Sequence, residues 1–81
     1  MRWRVSFTTR AARELDGLPS PDRRVILAAV RAFAGGEIAD VRKLHGRPGY
    51  RLRVGRWRVL YDLGAGELLV LRILDRKDAY R

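Results

Sequence analysis

Eighty-one residues suffice for one small folded unit, and a hydrophobic content of 47% excludes a disordered chain. The lack of cysteine removes disulfides and thiolate metal sites, and a formal net charge of +9 points to a polyanionic partner. The longest apolar runs, residues 25–30 and 68–71, are too short to cross a bilayer and no signal-peptide core precedes them, so a single soluble, cytoplasmic domain over residues 1–81 is expected.

Arg2-Trp3-Arg4-Val5-Ser6-Phe7 alternates polar with apolar residues, which predicts a first strand with Trp3, Val5 and Phe7 toward the core. Thr8 or Thr9 can cap a short helix whose inward stripe is Ala11 or Ala12, Leu15 and Leu18, ended by Gly17 and Pro19. Ser20-Pro21-Asp22 restarts a helix with Ser20 as its cap and a proline and an acid in its first turn. This second helix should run to about Ala34, with Ile26, Leu27, Val30 and Phe33 inward, before Gly35-Gly36. Residues 37–49 are expected as one loop of thirteen residues anchored by Leu44, a length that in a small domain suggests function.

The stretch 42–61, RKLHGRPGYRLRVGRWRVLY, carries the most information. Folding it about Gly55-Arg56 pairs Val54 with Trp57, Arg53 with Arg58, Leu52 with Val59, Arg51 with Leu60, and Tyr50 with Tyr61. Strand side chains alternate, so Tyr50, Leu52, Val54, Trp57, Val59 and Tyr61 share one face while Arg51, Arg53 and Arg58 share the other. Like charges set across a ladder are destabilising, so a sheet that keeps them has an anion to hold, and RNA phosphate is the leading candidate. A last, nearly all-apolar strand follows the Gly64-Ala65-Gly66 turn, from Glu67 to about Leu74, and a polar tail holds Tyr80. The predicted architecture is α+β: two N-terminal helices packed on a mostly antiparallel four-stranded sheet in the order β-α-α-β-β-β.

The charge is uneven. Residues 1–41 hold seven basic and five acidic side chains, net +2, whereas residues 42–81 hold eleven and four, net +7. Sixteen of the eighteen basic residues are arginine, which suits forked recognition of phosphate, although a GC-rich genome would give the same bias. His45, the single histidine, offers no metal set and is weighed as an exposed loop residue before a proton shuttle. A solvated arginine face is the ordinary reading of Arg51, Arg53 and Arg58, and the aromatics of the apolar face read as core.

Lys43-Leu44-x-Gly46, then Tyr50 to Tyr61, then Val70-Leu71-Arg72-Ile73-Leu74-Asp75-Arg76-Lys77-Asp78-x-Tyr80-Arg81 together resemble the RelE/ParE superfamily of bacterial type II toxins, RelE-like branch. The resemblance implies a ribosome-dependent, metal-independent mRNA endonuclease held inactive by a cognate antitoxin, which can also bring the toxin to operator DNA. In such an enzyme the RNA 2′-hydroxyl attacks the adjacent phosphate, leaving a 2′,3′-cyclic phosphate and a free 5′-hydroxyl. By the same resemblance the catalytic positions fall on Arg51, Arg53, Arg58, Arg76 and Tyr80. Arg42, Lys43, Arg47, Arg56, Lys77 and Arg81 are candidates to bind the RNA backbone. Arginine at the paired positions is a poor general base, and Asp75, Tyr80 and His45 are the only titrating candidates nearby. Two other readings stay open: a ParE-like inhibitor of DNA gyrase on the same fold, and a degenerate module that only binds its antitoxin. Whether Arg72 joins the cluster depends on the register of the last strand.

Overall fold

In the computed structural model, which describes residues 3–78, the chain alternates short helices with one continuous sheet. The elements are β1 (Arg4–Phe7), α1 (Thr9–Asp16), α2 (Ser20–Ala34), β2 (Val41–Lys43), β3 (Tyr50–Val54), β4 (Trp57–Gly64) and β5 (Glu67–Asp75), followed by a 3₁₀ turn, Arg76–Asp78. The strands lie in the order β1-β5-β4-β3-β2, with β1 parallel to β5 and every other pair antiparallel.

The class is as expected, but the sheet has five strands instead of four. The expected loop 37–49 contains β2, which pairs with β3 through Val41↔Leu52, Arg42↔Arg51 and Lys43↔Tyr50. Three exposed residues carry no alternation between buried and exposed positions, so only their pairing reveals the strand. The α2 boundary also shifts. Pro19 holds the cap position, and the Ser20 hydroxyl accepts from Arg24 Nη1 at 2.8 Å instead of capping the helix. Thr8 does cap α1, its hydroxyl accepting from Ala11 N–H at 3.1 Å.

Both helices cover one face. Ala11 and Leu15 of α1 and Ile26, Val30 and Ala34 of α2 pack on Leu52, Val54, Val59, Tyr61, Leu68, Val70 and Ile73 of the sheet. Tyr61 anchors this core, with the Tyr50 ring stacked at 5.4 Å and Phe33 edge-on at 5.5 Å between centroids. The β3–β4 register matches all five expected pairs. Gly55 makes the turn possible, since its φ of +57° is one that other residues adopt at a cost.

Two features of β5 position the rest. Its ladder with β4 shifts register between Leu60 and Tyr61, leaving Leu71 without a partner between Arg72, which faces Leu60, and Val70, which faces Tyr61. Strict alternation would send Leu68, Val70 and Arg72 to the core together; the extra residue instead admits Ile73 and turns Arg72 out. The second feature is α1, which takes over the edge of β5 where β1 stops at Phe7↔Val70. Thr8 N–H donates to Val70 O at 3.0 Å, and the Thr8 hydroxyl donates to Leu71 O at 3.2 Å. Ile73 N–H donates to Glu14 Oε1 at 2.9 Å, so a carboxylate stands in for the missing strand.

Candidate nucleic-acid interface

The sheet face turned away from the helices holds the basic residues. Its cross-strand rows are Arg42, Arg51, Leu60 and Arg72, then Arg53, Arg58 and Leu74. Arg42 therefore stands opposite Arg51, and Arg53 opposite Arg58, arrangements that cost stability unless each cation finds relief.

The relief differs from residue to residue. Arg58 is buried at 3% exposure, and its Nη1 donates to Gly55 O at 2.8 Å and Trp57 O at 3.0 Å, so its guanidinium closes the hairpin turn. Its Nε–H is buried without an acceptor, the one such side-chain group among the described residues. Arg53 remains half-exposed with Asp40 3.9 Å away, an ion pair too open and too long to hold it firmly. Arg51 is half-buried between β2 and β4. Arg72 is tied across the sheet edge to Glu14, with Nη2 at 2.9 Å and Nε at 3.0 Å from Oε2. Sequence reasoning missed that pair. An arginine inside an apolar strand called for a carboxylate, and Glu14 lies beside the inward Leu15 and three residues from Ala11.

At the hairpin end, Arg56 forms a close ion pair with Asp75 and lies 5.0 Å over the Trp57 ring. The hydrogen bond from Arg56 holds the Asp75 carboxyl below the usual carboxylate range, helped by Lys77 N–H at 3.3 Å, and the same bond raises the pKa of Arg56. Arg76 N–H donates to Arg56 O at 2.7 Å, which brings Arg76 and Lys77 alongside the turn. These two residues line a shallow hollow with Arg56 and Asp75.

Next to the arginine rows, a cleft of about 330 Å³ is walled by Leu44, Leu60, Leu71 and Leu74, with Arg47, Arg72 and Asp78 as its polar lining. Gly49 keeps the 44–49 loop close above it: at φ +107°, an added Cβ would lie 3.2 Å from Leu44 Cδ1 and 3.3 Å from Tyr61 O. His45 is exposed on that loop.

The structure thus gathers Arg42, Arg51, Arg53 and Arg58 on adjoining strands and sets Arg56, Arg76 and Lys77 at their end. Lys43, on β2, belongs to the helix side by its register with Tyr50 and Tyr61, apart from the arginine rows. Tyr80 and Arg81 lie outside the described residues. Asp75 is committed to Arg56 and is not a ready proton acceptor. Among the described residues no three His, Cys, Asp or Glu side chains gather as metal ligands, and no helix is long and apolar enough to cross a membrane.

No curated protein matches the chain in sequence. Solved structures do. RelE in its complex with RelB from Pyrococcus horikoshii OT3 aligns with a TM-score of 0.79 at 27% identity, over 98% of this chain and 100% of that one. The toxin–antitoxin complex RelBE2 from Mycobacterium tuberculosis aligns at 0.67 with 33% identity, over 94% and 100%. The RelB–RelE complex from Methanococcus jannaschii, at 22% identity and 0.73 over 91% and 93%, shares the fold. The family model for the ParE toxin of type II toxin–antitoxin systems matches residues 5–80. With that match running from the first strand into the tail, the chain belongs to the ParE toxin family, within the RelE/ParE superfamily of type II toxins.

Proposed function

We propose that this toxin cleaves mRNA on the ribosome in the cytoplasm, without a metal, and that a cognate antitoxin holds it inactive. The carrying observation is the two pairs of opposed arginines, Arg42 with Arg51 and Arg53 with Arg58, on the face the helices leave open. Such pairs cost stability, and a phosphate bound between them would offset that cost.

In this reading the RNA backbone lies along the arginine rows, held by Arg42, Arg47 and Arg56, with Lys43, Lys77 and Arg81 at its margins. The 2′-hydroxyl attacks the adjacent phosphorus, the bond to the 5′ oxygen breaks, and a cyclic phosphate remains. Arg51, Arg53 and Arg58 stabilise the charge that builds on the nonbridging oxygens, Arg76 stands by the leaving oxygen, and Tyr80 stacks on an unstacked base. With its pKa lowered by the Arg56 hydrogen bond, Asp75 is a weak base, and in this reading electrostatic stabilisation carries most of the rate. The antitoxin supplies acidic and apolar side chains that cover the cationic face, and through it the toxin reaches operator DNA.

Mapping mRNA 5′ ends after brief induction tests this. Cuts inside translated codons are expected, and Arg53→Ala should lower them by about 10²-fold, as loss of one charge-stabilising donor does. One observation favours gyrase inhibition instead: Arg58 and Asp75 are both committed within the protein, leaving no acid–base pair beside the arginines among the described residues. Intact messages with accumulating gyrase-dependent DNA breaks would establish that reading. Neither effect, with antitoxin binding retained, would mark a degenerate antitoxin-binding module.

A further inference from the structure

The structure leaves one sheet edge open in a specific way. Arg53 N–H donates to Asp40 O at 2.9 Å, and Leu44 N–H donates to Gly49 O at 2.9 Å. Antiparallel bonds alternate along a ladder, so residues 40, 42 and 44 address β3, and the N–H and C=O groups of Val41 and Lys43 point away from the sheet. The side chains repeat the pattern of an unfinished surface. Val41 sits in register with the core residues Leu52 and Val59, yet is 36% exposed because neither helix covers β2, and Ile38, three residues earlier, is wholly exposed. Scattered exposed apolar residues are ordinary, but two of the three large ones among the described residues adjoin this one edge. At the opposite edge, Trp3 N–H donates to Ala34 O at 2.9 Å, so the end of α2 closes over the start of β1.

We propose that the outer edge of β2 accepts an extended strand from an acidic partner protein, extending the sheet beyond its fifth strand. The proposal rests on the antitoxin partnership above and names where that partner makes its backbone contacts. The incoming strand bonds to Val41 and Lys43, lays an apolar residue against Val41 and Ile38, and sets a carboxylate beside Arg42 on the arginine face. A short strand bearing Arg42 and Lys43 is also how a monomer discourages pairing, but those cations repel basic strands and attract acidic ones. A second copy is the weaker candidate. Centred on Val41 it would set Asp40 against Arg42 twice, yet it would bring two molecules of net charge +9 together with their arginine faces on the same side.

The test uses the purified full chain with a synthetic peptide of alternating valine and glutamate, read by residue-resolved amide exchange. Saturating peptide should slow Val41 and Lys43 about tenfold or more and leave Arg42, already bonded to β3, nearly unchanged. Val41→Pro removes an outward donor and spares the bonds of Asp40 and Arg42; it should weaken the peptide about fivefold, whereas Val41→Thr, which keeps the donor, should not. A valine–lysine peptide should not bind. Protection confined to other residues, slowing of Val41 and Lys43 with protein concentration alone, or full binding by Val41→Pro overturns the proposal. Val41→Pro should still cut mRNA. Cutting without edge protection sinks only this inference, and edge protection without cutting sinks only the nuclease reading.

Discussion

Under the proposed function Arg58 has two jobs that a single substitution would confuse. Its guanidinium satisfies two carbonyls of the hairpin while it is held among cations, so Arg58→Ala should lower stability by about 2 kcal/mol as well as abolish cutting. Arg53→Ala, at a half-exposed position with a distant partner, should impair cutting and leave the unfolding midpoint within about 0.5 kcal/mol of the parent. Thermal unfolding and RNA cleavage measured on both variants separate the roles; equal loss of stability in the two would contradict this account. Tyr61 and Asp75 each make stability depend on pH, in opposite directions. Burial, then Tyr50, pushes the Tyr61 phenol from 10.0 to about 12, so its contribution is complete below pH 10 and is lost as pH rises through 12. Tyr61→Phe should flatten that alkaline loss. Asp75 shifts the other way: Arg56 lowers its pKa, so its contribution stands above about pH 4 and disappears as acid protonates it, and Asp75→Asn should flatten the acid limb of a stability–pH curve.

Among the elements, α1 is short for a helix and depends on its grip on β5. Glu14 accepts from Ile73 N–H and from Arg72, a set of charge-assisted bonds at a half-buried edge. Glu14→Ala should cost about 2 kcal/mol in urea unfolding and raise amide exchange at Ile73; an unchanged Ile73 amide would show that something else satisfies it. The β3–β4 hairpin was legible down to each cross-strand pair because a two-residue turn fixes the register and alternation fixes the faces. The bulge was not read from the sequence, which left the register of the last strand open; the pairing of β5 with β4 is what leaves Leu71 over and turns Arg72 out. β2 was not legible: three exposed residues have no pattern of their own, and only β3 makes them a strand.

At the scale of the whole molecule, a net charge of +9, of which +7 lies in residues 42–81, makes the proposed RNA affinity a function of salt. If three to five phosphates lie on the arginine rows, log affinity should fall against log salt with a slope of roughly −2 to −3.5, at about 0.7 per phosphate for single strands. Arg53→Ala should reduce that slope by about 0.7, whereas Val41→Pro should leave it unchanged. A slope near zero, measured by titration at several salt concentrations, would remove phosphate from the interface.

By itself the sequence determined the class, the helices, the central hairpin and the face on which the arginines lie. All of these follow from local periodicity, turn chemistry and the alternation of a strand. Only the tertiary structure decided what each arginine does there. Arg58 bends back to its own turn, Arg72 answers a glutamate fifty-eight residues away, Arg56 captures Asp75, and Arg53 stays half-exposed. A guanidinium has a long, flexible stem, so its partner is set by whichever acceptor the fold brings within reach, and that depends on contacts no local pattern encodes.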